Sequence, residues 1–220
     1  VGNERRIINV AIDGPAGAGK STVAQRAAHV LDFIYVDTGA MYRAMTLAWM
    51  RDRCAIDAQF VAAHDVSFVS VNGHLRIHLD GKDVHTDVRS PEVSQHVAAV
   101  SAHRVVRERL VALQRRIAAD GGVVMDGRDI GTAVLPDAAV KVFLTASVHV
   151  RAARRCAEWG DASLEDVAEA IRARDARDET REQSPLVCAP DALRIDSTHM
   201  TIDAVVGTIV HAVQAVIHRV

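Results

Sequence analysis

Gly14-Pro15-Ala16-Gly17-Ala18-Gly19-Lys20-Ser21 follows directly on an apolar run at residues 7–12. The spacing G-x-x-x-x-G-K-S, after a strand and before a helix, makes a loop whose backbone N–H groups turn inward around a polyphosphate. Lys20 supplies a point charge for the β and γ phosphates, and the Ser21 hydroxyl is a ligand for Mg²⁺. The helix expected over 21–31 aims its positive N-terminus at the same anion. A glycine-rich turn that binds nothing would need neither the lysine nor the serine. The chain is therefore expected to bind a nucleoside triphosphate.

Three further groups could do chemistry. Asp37-Thr38-Gly39-Ala40-Met41-Tyr42-Arg43 joins a strand end to a helix start, with Thr38 expected as the cap and Tyr42 and Arg43 in the first turn. Asp126 ends the apolar run Val123-Val124-Met125, a position suited to holding Mg²⁺ through water, and Arg128 and Asp129 follow it. The arginines are the third group. Arg151, Arg154 and Arg155 share one helix face, as do Arg174, Asp178 and Arg181. Phosphoryl transfer brings two polyanions together, so fixed cations beyond Lys20 are needed, and the planar guanidinium suits that task.

The elements that must position these groups alternate. Strands are expected at 7–13, 33–37, 123–126, 140–145 and 193–196. Helices are expected at 21–31, 39–53, 91–100, 102–119, 148–159, 163–177 and 201–220. Met41, Met45, Ala48 and Trp49 stripe the second helix. Val106, Leu110, Leu113 and Ile117 stripe the helix over 102–119, and Val206, Ile209, Val213 and Ile217 the last one. This order implies a five-stranded parallel sheet with helices on both faces, its ligands gathered at the carboxyl ends of the strands. One segment breaks the pattern. Residues 66–71 and 74–79 alternate as strands around Asn72-Gly73, a hairpin signal, with a third short strand at 82–84. A single domain over 1–220 is expected, carrying a β-rich insert at 63–100 and a helical lid at 153–183.

Bulk composition narrows the class. The chain has 220 residues, 49% of them hydrophobic, and a net charge of −2. That charge gives no global field for nucleic acid or a membrane surface. Of 26 cationic residues only Lys20, Lys82 and Lys141 are lysine, so arginine abundance is a coding bias and only position carries meaning. Cys54, Cys156 and Cys188 are scattered and odd in number, which points to free thiols in a reducing cytoplasm. The opening residues 1–6 are polar, and no leader segment is expected there. His74 and His78 share a strand face without a ligand partner and read as surface residues.

Taken together, the motifs resemble the bacterial cytidylate kinases, within the nucleoside monophosphate kinases of the P-loop group. The resemblance covers nearly the whole chain: IDGPAGAGKST, VDTGAMYR, EVSQHV, VVMDGRDIGTAVLPDA, FLTAS, RARDARDETREQSPL and DALRIDST. It implies a core, a lid and an enlarged monophosphate-binding insert. It also implies Mg²⁺-dependent transfer of the γ-phosphoryl of ATP to CMP or dCMP in pyrimidine nucleotide metabolism, by a cytoplasmic monomer. ATP would be held by Gly14, Pro15, Ala16, Gly17, Ala18, Gly19, Lys20, Ser21 and Thr22, with Arg151 and Arg155. The monophosphate would be held by Thr38, Tyr42, Arg43, Arg107, Arg128, Asp129, Arg174, Asp178 and Arg181. Lys20, Arg128, Arg154 and Arg181 would stabilise the transfer, and Ser21 with Asp126 would hold the metal. Where the family often places a serine near the base, this chain has Ala98, with Ser94 and Ser101 nearby. Another small-molecule kinase of this group, or a nucleotide-binding switch module, would share the phosphate loop. The β-rich insert and the DGRDIG and RDARDETR stretches argue against the former, and the latter would need γ-phosphate-sensing loops and should lack a second anionic pocket.

Overall fold

The computed structural model describes residues 8–71, 74–159 and 163–218. The turn expected at Asn72-Gly73, the break expected at Gly160-Asp161, and residues 1–6 lie outside the described residues. So does the side chain of His74.

The chain divides into two compact units, one formed by the residues up to Tyr35 with those from Ala118 onward, the other by Val36–Ile117. A five-stranded parallel sheet, all but the end of one edge strand within the first unit, runs in the order β2-β6-β1-β7-β8, the α/β class expected. The strands are β1 (Asn9–Asp13), β2 (Ile34–Asp37), β6 (Val123–Asp126), β7 (Val140–Thr145) and β8 (Leu193–Asp196). β1 is buried throughout and pairs in parallel with β6 (Val10 beside Val124) and with β7 (Ile12 beside Val142). A strand flanked on both sides must be apolar on both faces, which is why Val10, Ala11 and Ile12 form an unbroken run.

Helices α1 (Lys20–Leu31) and α8 (Ile202–Ile217) cover one core with these strands. Val23, Ala24, Ala27 and Ala28 of α1 meet Val205, Val206, Ile209 and Val213 of α8. Thr201 caps α8 by accepting the Ala204 N–H, as a threonine before an apolar stripe should. Ile217 departs from expectation: it is exposed, because the stripe outruns the surface that it covers. α6 (Val148–Trp159) and α7 (Leu164–Thr180) pack on each other through Ala152, Val167, Ala168 and Ile171. Ser163 caps α7.

In the second unit, α2 (Thr38–Asp52), α3 (Ala58–Ala63), α4 (Pro91–Ala102) and α5 (Arg104–Ile117) enclose a separate core with a three-stranded antiparallel sheet. That sheet is β3 (Val66–Val71), β4 (His74–Leu79) and β5 (Lys82–Asp83), in register from Val66 beside Leu79 to Val71 beside His74. Met41, Met45 and Ala48 are buried there, as the stripe on α2 requires. α3 was not expected from the sequence. Its six residues are too few to show a period, and its signal is the cap by which Asp57 accepts the Phe60 N–H.

Candidate active site

The phosphate loop leaves β1 at Gly14 with φ 147°. A Cβ at Gly14 would lie 1.9 Å from the Leu144 carbonyl oxygen, so only glycine lets the loop start against β7. Gly17, at φ 75°, lies where a Cβ would meet the Cβ of Arg151 at 3.3 Å. Lys20 opens α1, is buried, and donates from Nζ to the Pro15 carbonyl at 2.7 Å. Burial disfavours its charge, and the guanidiniums of Arg128 and Arg174 add to that. Asp126 and Asp13 oppose them, yet the ammonium is held well below the ordinary lysine range. Lys20, Arg128 and Arg174, which come from three separate stretches of sequence, therefore share one electrostatic neighbourhood.

Ser21 donates from Oγ to Oδ2 of Asp126 at 3.0 Å, and Tyr35 donates from its hydroxyl to Oδ1 of the same carboxylate at 2.8 Å. A hydroxyl and a carboxylate at the head of α1 are the hard oxygen donors that Mg²⁺ prefers. Among the described residues no cluster of three or more His, Cys, Asp or Glu could hold a metal. The residues present thus fit an ion that keeps several waters and takes further ligands from phosphate.

Beyond β6 the chain makes a π-helical turn over Ile130–Val134 that the sequence does not announce. Its start is held by Asp13, whose Oδ1 and Oδ2 accept the N–H groups of Ile130 (2.8 Å) and Gly131 (2.7 Å). Burial raises the Asp13 pKa to about 6, against the lowering effect of those two amides, with Asp129 raising it further. Arg128 donates from Nε to Oδ2 of Asp178 at 2.8 Å, and both are mostly sheltered. Arg181 lies 3.6 Å from Oδ1 of Asp129 and also donates to the Ser184 carbonyl. Arg128, Asp129, Asp178 and Arg181 are thus ordered by mutual pairing across stretches fifty residues apart.

The three arginines of α6 diverge. Arg151 is buried, donating to the carbonyls of Ala146 (2.9 Å) and Ala16 (2.9 Å) and to Oδ2 of Asp175 (2.6 Å). Arg154 donates to the Ala18 carbonyl (3.3 Å) and to the hydroxyl (3.3 Å) and carbonyl (3.0 Å) of Ser197. Arg155 is partly exposed. Two of the three therefore brace the phosphate loop through its own carbonyls.

In the second unit Thr38 is buried in the first turn of α2, and it is not the cap. Asp37 has that role, accepting the Ala40 N–H at 2.9 Å and pairing with Arg89 at 3.3 Å. Asp and Thr are both good caps, and Asp37 wins because its backbone is the one still extended. The Arg43 guanidinium reaches back over Gly39, where a Cβ would stand 3.0 Å from its Nη1. Arg107 is buried with its guanidinium 5.9 Å from the centroid of the Tyr42 ring. Ala98 is exposed on α4, and Ser101 donates to its carbonyl at 3.1 Å.

Tyr35, Asp175 and Ser197 escaped the sequence reading, and Asp13 was legible only as the polar end of a strand, without a role.

The sequence model of the cytidylate kinase family matches residues 10–215. The cytidylate kinase of Enterococcus faecalis is 48% identical over 216 residues, covering 94% of this chain and 96% of that protein. The cytidylate kinase of Limosilactobacillus reuteri is 49% identical over 214 residues, covering 92% and 93%. Among solved structures, a putative kinase from Chloroflexus aurantiacus aligns with TM-score 0.52 at 14% identity, covering 97% of this chain and 99% of that one. An uncharacterized protein from Eubacterium ventriosum aligns with TM-score 0.53 at 13% identity, over 96% and 99%. Those two likenesses concern the fold. With a phosphate loop, an ordered set of arginines and nearly full-length matches, the chain belongs to the cytidylate kinase family.

Proposed function

We infer that this chain transfers the γ-phosphoryl group of ATP to CMP or dCMP, giving ADP and CDP or dCDP. The observation that carries the reading is the phosphate loop itself, with Lys20 buried at the head of α1 and held on the Pro15 carbonyl, Ser21 bonded to Asp126, and Arg128 and Arg174 close enough to act on the Lys20 charge. One buried and two partly sheltered cations beside a phosphate loop suit a polyanion, and a triphosphate meeting a monophosphate supplies it. An oxygen of the monophosphate attacks the γ-phosphorus in line. The new P–O bond forms as the bond to the β-phosphate oxygen breaks, and ADP leaves with that electron pair. The attacking oxygen is already ionised, so positioning and charge stabilisation replace a general base.

Gly14 to Thr22 cradle ATP, with Arg155 as a further contact. Ser21, and Asp126 through water, would hold Mg²⁺, which when bound would neutralise charge on the phosphates. Lys20, Arg128, Arg154 and Arg181 stabilise the migrating group. From the first unit, Arg128 and Arg181 hold the monophosphate, Arg174 and Asp178 meet the sugar, and Asp129 accepts from the cytosine amino group. From the second, Thr38, Tyr42 and Arg43 bind the monophosphate and Arg107 donates to the cytosine acceptors. Uracil would set an acceptor against the Asp129 carboxylate, at a cost of about 1–3 kcal/mol, or roughly 10–100-fold. The enzyme works as a cytoplasmic monomer without nucleic acid or membrane. Among the described residues no helix is long and apolar enough to cross a bilayer.

ADP release measured with CMP, UMP, AMP and shikimate tests the activity. CMP is expected to be the preferred acceptor, and absence of CMP-dependent ADP release removes the reading. Arg181→Ala is expected to lower kcat by at least about 100-fold. Arg76→Ala, at an ion pair with Asp83 on the hairpin, should leave the rate within about twofold.

A further inference from the structure

Asp175 stands in the seam between α6 and α7. It follows Ala168 and Ile171 at helical spacing, where an apolar side chain would complete the stripe. A carboxylate there is 9% exposed, and burying one is costly unless both oxygens are satisfied. They are. Oδ2 accepts from Nη1 of Arg151 at 2.6 Å, and Oδ1 accepts the N–H of Ala16 at 3.3 Å. The same Nη1 of Arg151 donates to the Ala16 carbonyl at 2.9 Å, and Nε is fixed on Ala146. Both polar groups of one loop residue, N–H and C=O, are therefore held by a single buried ion pair. The next residue, Gly17, has φ 75°, and a Cβ there would press on the Arg151 Cβ at 3.3 Å. The loop is seated on α6 from one side and tied to α7 from the other.

We propose that Asp175 is a positioning residue for phosphoryl transfer: with Arg151 it fixes the Ala16 peptide, and through it the curvature of the phosphate loop, without touching either nucleotide. Arg151 then acts on ATP through the loop backbone. The proposal rests on the activity given above. A carboxylate is required because only an anion neutralises the buried guanidinium while also accepting a backbone amide. Its neighbours Arg174 and Asp178 serve the monophosphate. A defect that merely loosened α7 would weaken both substrates, whereas loss of the loop tie weakens ATP alone.

The test is steady-state kinetics with each substrate varied in turn, with thermal melting alongside. Asp175→Asn keeps one acceptor and loses the charge. It is expected to raise KM for ATP and lower kcat, for about a tenfold or greater loss in kcat/KM for ATP, with KM for CMP within twofold. A paired variant guards against misfolding. Asp175→Leu with Arg151→Met replaces the ion pair by apolar side chains of similar size, an exchange that buried pairs often tolerate or gain from. It should still unfold cooperatively, with a melting temperature no lower than that of Asp175→Asn, and show the same ATP-selective loss. Wild-type kcat/KM for ATP in the paired variant, or equal losses for ATP and CMP in either variant, would overturn the proposal. Failure of the wild-type protein to release ADP with CMP would instead remove the activity itself, so the two failures are distinct.

Discussion

Asp13 stands in surroundings that differ from what its type suggests. It ends β1, directly before the phosphate loop, and it is a buried carboxylate in an acidic neighbourhood that includes Asp129. Folded, it keeps its proton up to about pH 6, whereas the ordinary carboxylate value is 3.8. Between those values the folded state binds the extra proton. The stability due to this group is therefore fully present below about 3.8 and is lost as pH rises through about 6. Two pH units correspond to at most about 3 kcal/mol. Asp13→Asn, which cannot ionise, should remove that dependence. The difference in melting temperature between wild type and variant is expected to move against the wild type from pH 4 to pH 6 and then stay flat. A constant difference across that range would show that Asp13 titrates normally. At this scale the sequence was informative where a residue makes a motif and silent where it only supports one. Lys20, Ser21 and Asp126 were found by spacing, while Asp175 is one of six acidic residues of α7 that look alike on paper.

At the scale of elements, local chemistry set most boundaries. Caps, a proline at the start of α4 and the period-two run at 66–71 were enough for the helices and the small sheet. The misses share a cause. The π turn at Ile130–Val134 depends on two amides bonded to Asp13, more than a hundred residues away. The junction of α2, α3 and β4 depends likewise on His64, at the C-cap of α3. Its Nδ1 lies 2.9 Å from Asp80 and its Nε2 lies 3.0 Å from Asp52. The ring also meets Phe60 edge-on with centroids 5.0 Å apart. Burial opposes charge on this ring, but the two carboxylates outweigh it and raise its pKa above the ordinary 6.5. A raised histidine contributes stability that is fully present below about 6.5 and is lost as pH rises through its folded value. His64→Ala should destabilise the protein by about 1–2 kcal/mol at pH 6 and by less at pH 9. Denaturant melts at the two pH values measure it, and an equal effect at both would show that the ring is held neutral.

At the scale of the whole molecule, the two larger cores described above have no residue in common, one around β1, α1 and α8 and one around α2, β4 and α5. Ile209 and Ile77 are wholly buried in the first and the second respectively. Each Ile→Ala exchange should cost about 2–5 kcal/mol, and the double variant should equal the sum within about 0.5 kcal/mol. Urea denaturation of the four proteins checks this, and a larger departure would mean that the cores are coupled. The sequence by itself determined the alternating sheet, the hairpin unit, the phosphate loop and the class of chemistry, because strand period, turn glycines and a lysine-serine pair act over a few residues. Only the tertiary structure decided which arginine answers to which carboxylate. Arg128 meets Asp178, Arg151 meets Asp175 and Arg181 approaches Asp129. Charge carries no address along a chain. Any of 23 arginines could pair with any acid, and the choice is made by backbone folding that brings distant segments within about 3 Å and shuts out the water that would otherwise screen them.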